Sequence, residues 1–92
     1  MAVTGYTCIV ISAGPTIRWS DTPAPEVIIQ LSDTNNSFTG NWFFAAQDAK
    51  NQMLAVALAA ISTQMQVSAW VDPPNTNNTP WTQCYELRII VP

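Results

Sequence analysis

The stretch Gln47 to Gln66, QDAKNQMLAVALAAISTQMQ, constrains this chain more than any other. It is rich in Ala, Leu, Met and Gln and lacks Gly and Pro, so it predicts a helix about 20 residues long; Asp48 sits in the first turn, where a carboxylate suits the positive end. At about 100° per residue, Leu54, Leu58, Ile61 and Met65 form one stripe of large apolar side chains, the pattern of a core-facing side. Ala49, Met53, Val56, Ala57 and Ala60 form a second apolar sector beside it, and Asp48, Asn51, Gln52, Ala55, Ala59 and Ser62 complete the circumference. Two apolar sectors call for two partners. The Leu stripe is expected to cover the chain's own sheet, and Met53, Val56 and Ala60 a neighbouring subunit. The plainer reading is that a mostly alanine sector simply meets water, as isolated apolar surface residues commonly do.

A chain of 92 residues makes a single domain, 1–92, with a modest core. The charge count is 3 Lys and Arg against 6 Asp and Glu, with no histidine. Nucleic acid is a poor partner for such a chain, because Arg18, Lys50 and Arg88 fall in separate elements and form no basic cluster. The missing histidine removes the commonest general base, the nucleophile arrangements that depend on it and the commonest zinc ligand. Asp33, Asp48, Asp72 and Glu86 show no spacing that pairs carboxylates for acid-base work. The chain is therefore expected to be no enzyme and to hold no metal or cofactor. Only Met53 to Ile61 is continuously apolar, short of the roughly 20 residues a bilayer span requires. No basic and apolar leader follows Met1, which fits a cytoplasmic protein or one whose signal lies outside this sequence; location stays open.

Cys8 and Cys84 stand near the two ends. If their strands are neighbours, a disulfide closing most of the chain would stabilise by about 4 kcal/mol in the chain-entropy model. Two buried free thiols fit the residues equally well.

In chain order, Gly5 to Ala13 reads as a strand apolar on both faces. Gly14-Pro15 reads as a turn, and Thr16 to Trp19 as a short strand. Glu26 to Leu31 is a β-branched strand, Ser32 to Gly40 a polar uncharged loop, and Asn41 to Phe44 a short strand leading into the helix. Gln66 to Val71 follows, with Val67, Ala69 and Val71 on one face and Trp70 on the other. Asp72 to Thr82 is a Pro- and Asn-rich hairpin connection. Gln83 to Val91 closes the chain, expected with Tyr85, Leu87, Ile89 and Val91 on one face and Cys84, Glu86, Arg88 and Ile90 opposite. The tripeptides Asn35-Asn36-Ser37 and Asn77-Asn78-Thr79 match a glycosylation sequon, a pattern that arises readily by chance in such loops.

This order predicts a mainly β chain with one long helix. It fits a small five- to six-stranded OB-like barrel with the helix between the early strands and the closing hairpin. An open sheet packed on one helix is the alternative. The segment Asn51 to Ala60, followed by Gln66 to Val71 and then Cys84 to Ile89, resembles the cell-binding B subunits of bacterial AB5 toxins, above all the subtilase-cytotoxin and pertussis-like subunits. The likeness lies in the rhythm of an apolar helix, a Val-rich strand, a polar hairpin and a strand opening on Cys. It implies a ring of subunits, usually a pentamer, with helices lining the centre and glycans bound outside the barrel.

Two functions from different classes follow. One is a homo-oligomeric binding module for a neutral ligand such as a glycan, with amides of Asn35, Asn36, Asn75, Asn77 and Asn78 as hydrogen-bonding groups and Trp19 or Trp81 as a flat face. The other is a structural protein whose property is assembly alone.

Overall fold

The computed structural model describes residues 3–16, 26–73 and 82–90. The strands are β1 (Thr4–Thr16), β2 (Glu26–Asp33), β3 (Asn41–Ala45), β4 (Val67–Val71) and β5 (Thr82–Ile89); α1 (Lys50–Thr63) runs between β3 and β4. They form one closed barrel in the order β1-β2-β3-β5-β4, antiparallel throughout except for the parallel pair β3–β5. Among the described residues the strands number five, the lower of the two counts expected.

Alternation builds the interior. Val27, Ile29 and Leu31 of β2, Phe43 and Ala45 of β3, and Val67, Ala69 and Val71 of β4 point inward together. Each strand thus turns one face to the core at every second residue, the period a pleated backbone imposes. Two bulges break this rhythm.

The first bulge falls between Val10 and Ser12 of β1. β1 pairs with β4 over Thr4–Cys8 and with β2 over Cys8–Thr16, so it serves two parts of the barrel and must coil between them. A bulge supplies that extra twist. The turn expected at Gly14-Pro15 is not there: Gly14 pairs with Ile28 and Pro15 with Val27 as β1 continues. Beyond Cys8 the ladder with β4 ends, so Pro15 lies where one strand edge asks for no donor. The short strand expected over Thr16 to Trp19 falls, apart from Thr16 itself, outside the described residues.

The second bulge lies opposite Trp70/Val71, where Trp70 pairs with Glu86 but Val71 pairs with Cys84. Tyr85 is the extra residue, and it shifts the parity of β5. Cys84 and Leu87 both face the core while Tyr85 is exposed, which corrects the expected faces of this strand. Strict alternation cannot place Cys84 and Leu87 on one side; an inserted residue can.

A 3-10 turn (Gln47–Ala49) leads from β3 into α1. At the other end the helix stops at Gln64, in the left-handed conformation at φ 58°. The Met65 amide donates to the Ala60 carbonyl at 3.1 Å, closing the turn as a Schellman cap does. A glutamine occupies the position glycine favours, so the sequence carried no stop signal before Gln66.

The two helix sectors exchange roles. Met53, at 5 % exposure, Ala57 and Ala60, at 1 %, face the barrel, with Ala49 and Val56 packed beside them. Leu58 is 49 % exposed, and Ile61 and Met65 are exposed as well. The interface assigned to Met53, Val56 and Ala60 is thus taken up by the chain's own barrel; of the expected core stripe, Leu54 packs partly against the core, while Leu58, Ile61 and Met65 lie on the outside. Both sectors being apolar, hydrophobic periodicity gave the helix no direction. Size decides it: alanine lets the helix axis approach the barrel end closely, where a row of leucines would hold it off.

Met53→Ala should therefore cost about 2–5 kcal/mol through lost burial and a cavity, whereas Leu58→Ala should cost less than about 1 kcal/mol. Urea denaturation of the two variants checks the assignment; a larger loss for Leu58→Ala would reverse it.

Candidate functional site

The residues expected to bind ligand divide between what the structure describes and what it does not. Trp19, Asn75, Asn77, Asn78 and Trp81 lie outside the described residues. Asn35 and Asn36 lie in the loop after β2, which is folded around a buried carboxylate. The Asp33 side chain accepts from the Asn35 amide at 3.2 Å through Oδ1 and from the Ser37 amide at 3.0 Å through Oδ2. The Asn36 amide donates to the Asp33 carbonyl at 2.9 Å, and Asn36 takes a positive φ of 64°, a conformation asparagine tolerates.

The far side of this loop is fixed too. The Gly40 amide donates to Ser32 Oγ at 2.7 Å, Gln30 Nε2 donates to the Gly40 carbonyl at 3.0 Å, and buried Phe38 packs edge-on against Tyr6 and Phe43. Both asparagine side chains remain exposed. The polar sequence Ser32 to Gly40 thus encodes a self-capped turn with its own aromatic anchor. Burial opposes ionisation of Asp33, but the Ser37 side chain and the amides of Asn35 and Ser37 outweigh it and hold the carboxyl below its ordinary value.

Cys8 and Cys84 are free thiols inside the barrel. They lie on the first and last strands of one sheet, β1 and β5, but these are not neighbours in it, because β4 runs between them, with Cys8 opposite Val67 and Cys84 opposite Val71. Burial, with lesser contributions from the Asp33 carboxylate and Cys84, pushes the Cys8 thiol up to about 12. Burial does the same to Cys84, to about 12, against the opposing effect of its hydrogen bond to the Glu86 carbonyl. Neither sulfur is a nucleophile near neutral pH.

The remaining described carboxylates are dispersed. Glu86 Oε1 accepts from Arg88 Nη2 at 2.9 Å in an exposed ion pair, and Asp72 Oδ2 accepts from the Tyr85 hydroxyl at 3.0 Å. That bond, with desolvation and the charge of Asp72 adding to it, raises the Tyr85 phenol above its ordinary value. No group of three or more His, Cys, Asp or Glu among the described residues is placed to hold a metal ion. No described helix is long and apolar enough to cross a membrane.

Two surfaces stand out instead. The first is an apolar groove of about 310 Å³ between β1 and the end of α1, walled by Ile9, Ala60, Ile61 and Met65 and rimmed by Gln64 and Gln66. Ile9, at 50 % exposure, continues the helix stripe onto the barrel. The second is the outer face of β1, β4 and β5. There Gly5, Trp70 and Glu86 stand in one cross-strand row and Thr7, Ser68 and Arg88 in the next. A Cβ built on Gly5 would lie 2.8 Å from both Cε2 and Cζ2 of Trp70 and 3.0 Å from Cδ2, so the indole lies across Gly5. Sequence reasoning chose Trp19 and Trp81 as aromatic faces and passed over Trp70. The signal available was a glycine in a strand, which often marks the close approach of another group. No family model, curated protein or solved structure matches the chain.

Two outcomes follow. Because the folded-state value of Asp33 is depressed, its contribution to stability is present above its ordinary value of 3.8 and is lost as pH falls through the lower folded value. Denaturation midpoints measured across about pH 2 to 5 should decline in the wild type and change less in Asp33→Asn. Gly5→Ala should displace the Trp70 ring and shift tryptophan emission while changing stability by less than about 1 kcal/mol, since an exposed side chain can move where backbone cannot.

Proposed function

We propose that this chain is an OB-like barrel acting as a non-enzymatic, self-assembling binding module, with a second copy of the chain covering the groove between β1 and α1. The OB-like assignment is supported by the closed strand order, the parallel β3–β5 pair and the position of α1 between β3 and β4. A non-catalytic role is supported by the dispersal of the described carboxylates, each of Asp33, Asp72 and Glu86 being engaged with a different partner.

The observation that carries assembly is the exposed stripe of Leu58, Ile61 and Met65 with Ile9. These residues form a cluster of exposed large apolar side chains, the kind of patch that often marks a contact with another molecule. That is an apolar centre for an interface of about 800 Å² per partner, with Ser62, Gln64 and Gln66 forming a polar rim. A second copy suits the surface electrostatically. No charged residue occurs between Lys50 and Asp72, so copies meeting here bring no like charges together. If the groove meets itself the product is a dimer; if it meets another patch the subunits close a ring, as in the toxin subunits the sequence resembles.

Sedimentation of the wild type should give a mass above one chain. Leu58→Glu and Ile61→Glu should return it to a folded monomer by placing carboxylates in the apolar contact, while Gln52→Glu on the far side leaves the mass unchanged. A wild-type monomer at roughly 100 μM, where a contact of micromolar affinity would be filled, overturns the reading.

A further inference from the structure

We infer that the face formed by β1 and the end of α1 meets its own copy across a two-fold axis near Ser62. Leu58 of each chain then seats in the groove of the other, and assembly ends at a dimer. The inference rests on the proposed self-assembly and states how the copies meet.

A ridge and a groove stand side by side on this face. The groove of about 310 Å³ is lined by Ile9, Ile61 and Met65 among others, whereas Leu58 takes no part in its lining. Leu58 is 49 % exposed and stands about one helix turn before Ile61. An axis passing between Ile61 and Ser62 reverses the order of positions along the helix, so it brings Leu58 of one copy to Met65 of the other. The same rotation carries the second Leu58 into the first groove. Both knobs therefore find a hole in one operation. Beside the axis the side chains are small: Ser62 is exposed and Ala59 half-buried, so two helices can cross there at close range.

Charge distinguishes this arrangement from contact with a different patch. Near a two-fold axis each group meets itself or its symmetry mate, so a charge placed there faces its own sign. A head-to-tail contact joins two unlike patches and is free to pair opposite charges. This face meets the stricter condition. No charged residue occurs from Met1 to Ile17, which includes all of β1, or from Asn51 to Val71, which includes α1 beyond its first residue. Its polar groups are of the kind that pair with themselves. The amides of Gln64 and Gln66 and the hydroxyls of Ser62 and Thr63 each carry both a donor and an acceptor. A contact closed by a two-fold axis leaves no matching patch open, so it builds no ring.

The test combines a cross-link with a contact measured on the unaltered chain. Ser62→Cys, exposed to copper-phenanthroline at roughly 100 μM chain, should give a disulfide-linked pair at least about tenfold faster than Gln52→Cys, which lies away from the axis. The native thiols of Cys8 and Cys84 do not compete, because both are buried and pushed up to about 12. In a mixture of isotope-labelled and unlabelled wild type, the filtered nuclear Overhauser spectrum should connect the Leu58 methyls of one chain to Met65 and Ile9 of the other. That spectrum decides the matter should Ser62→Cys disturb the fold. A sedimentation mass above two chains overturns the two-fold contact and leaves assembly standing. So does a mass of two chains with neither the fast cross-link nor the filtered contact. A wild-type monomer at this concentration overturns both readings.

Discussion

The close approach of α1 to the barrel depends on Ala57 and Ala60. Their side chains are small enough for the helix to settle against the barrel with Met53 inserted as the largest of its buried residues. Methionine suits that position, because its flexible chain fills an irregular gap that a branched side chain would leave or overfill. Once the small face is inside, the rest of the helix is fixed. The row Leu58, Ile61 and Met65 lies about 110° around the axis, and its Ile61 and Met65 come to wall a groove with Ile9. The exposed apolar groove is therefore the geometric consequence of using the alanine face to pack the helix.

Barrel closure imposes the second set of constraints. β3 and β5 run parallel and share only the pairs from Phe43–Thr82 to Ala45–Cys84, after which the Ala46 amide donates to the Cys84 carbonyl at 3.0 Å and the chain turns toward the helix. Such a short junction closes the barrel only if its neighbours coil strongly. The bulges in β1 and β5 supply that coil and re-aim side chains as they do so. The β5 bulge turns Tyr85 outward to Asp72 while keeping Cys84 and Leu87 in the core. The β1 bulge carries the strand from its pairing with β4 to its pairing with β2.

The sequence was most legible where one physical rule acted alone. β4 reads from alternation directly, with Val67, Ala69 and Val71 inside and Trp70 outside, and β2 reads from its β-branched run. It was illegible where two rules gave competing answers. Periodicity identified the helix but could not choose between two apolar sectors, a choice made by volume against the barrel. Gly14-Pro15 carries the composition of a turn, yet a strand edge released from pairing accepts both residues. Polar composition marked Ser32 to Gly40 as a loop and suggested asparagine ligands, but it could not disclose that Asp33 organises the turn through its neighbours' amides. Trp70 escaped notice because its significance lies in Gly5, 65 positions away in the chain and opposite it in the ladder.

The two outer surfaces are neighbours. Thr7 belongs to the outer sheet face beside Trp70 and Ile9 to the apolar groove, and both project outward from β1 only two residues apart, roughly 7 Å along the strand. A second copy seated on the groove would border that sheet face without covering Trp70, which stands one cross-strand row farther from Ile9 than Thr7 does.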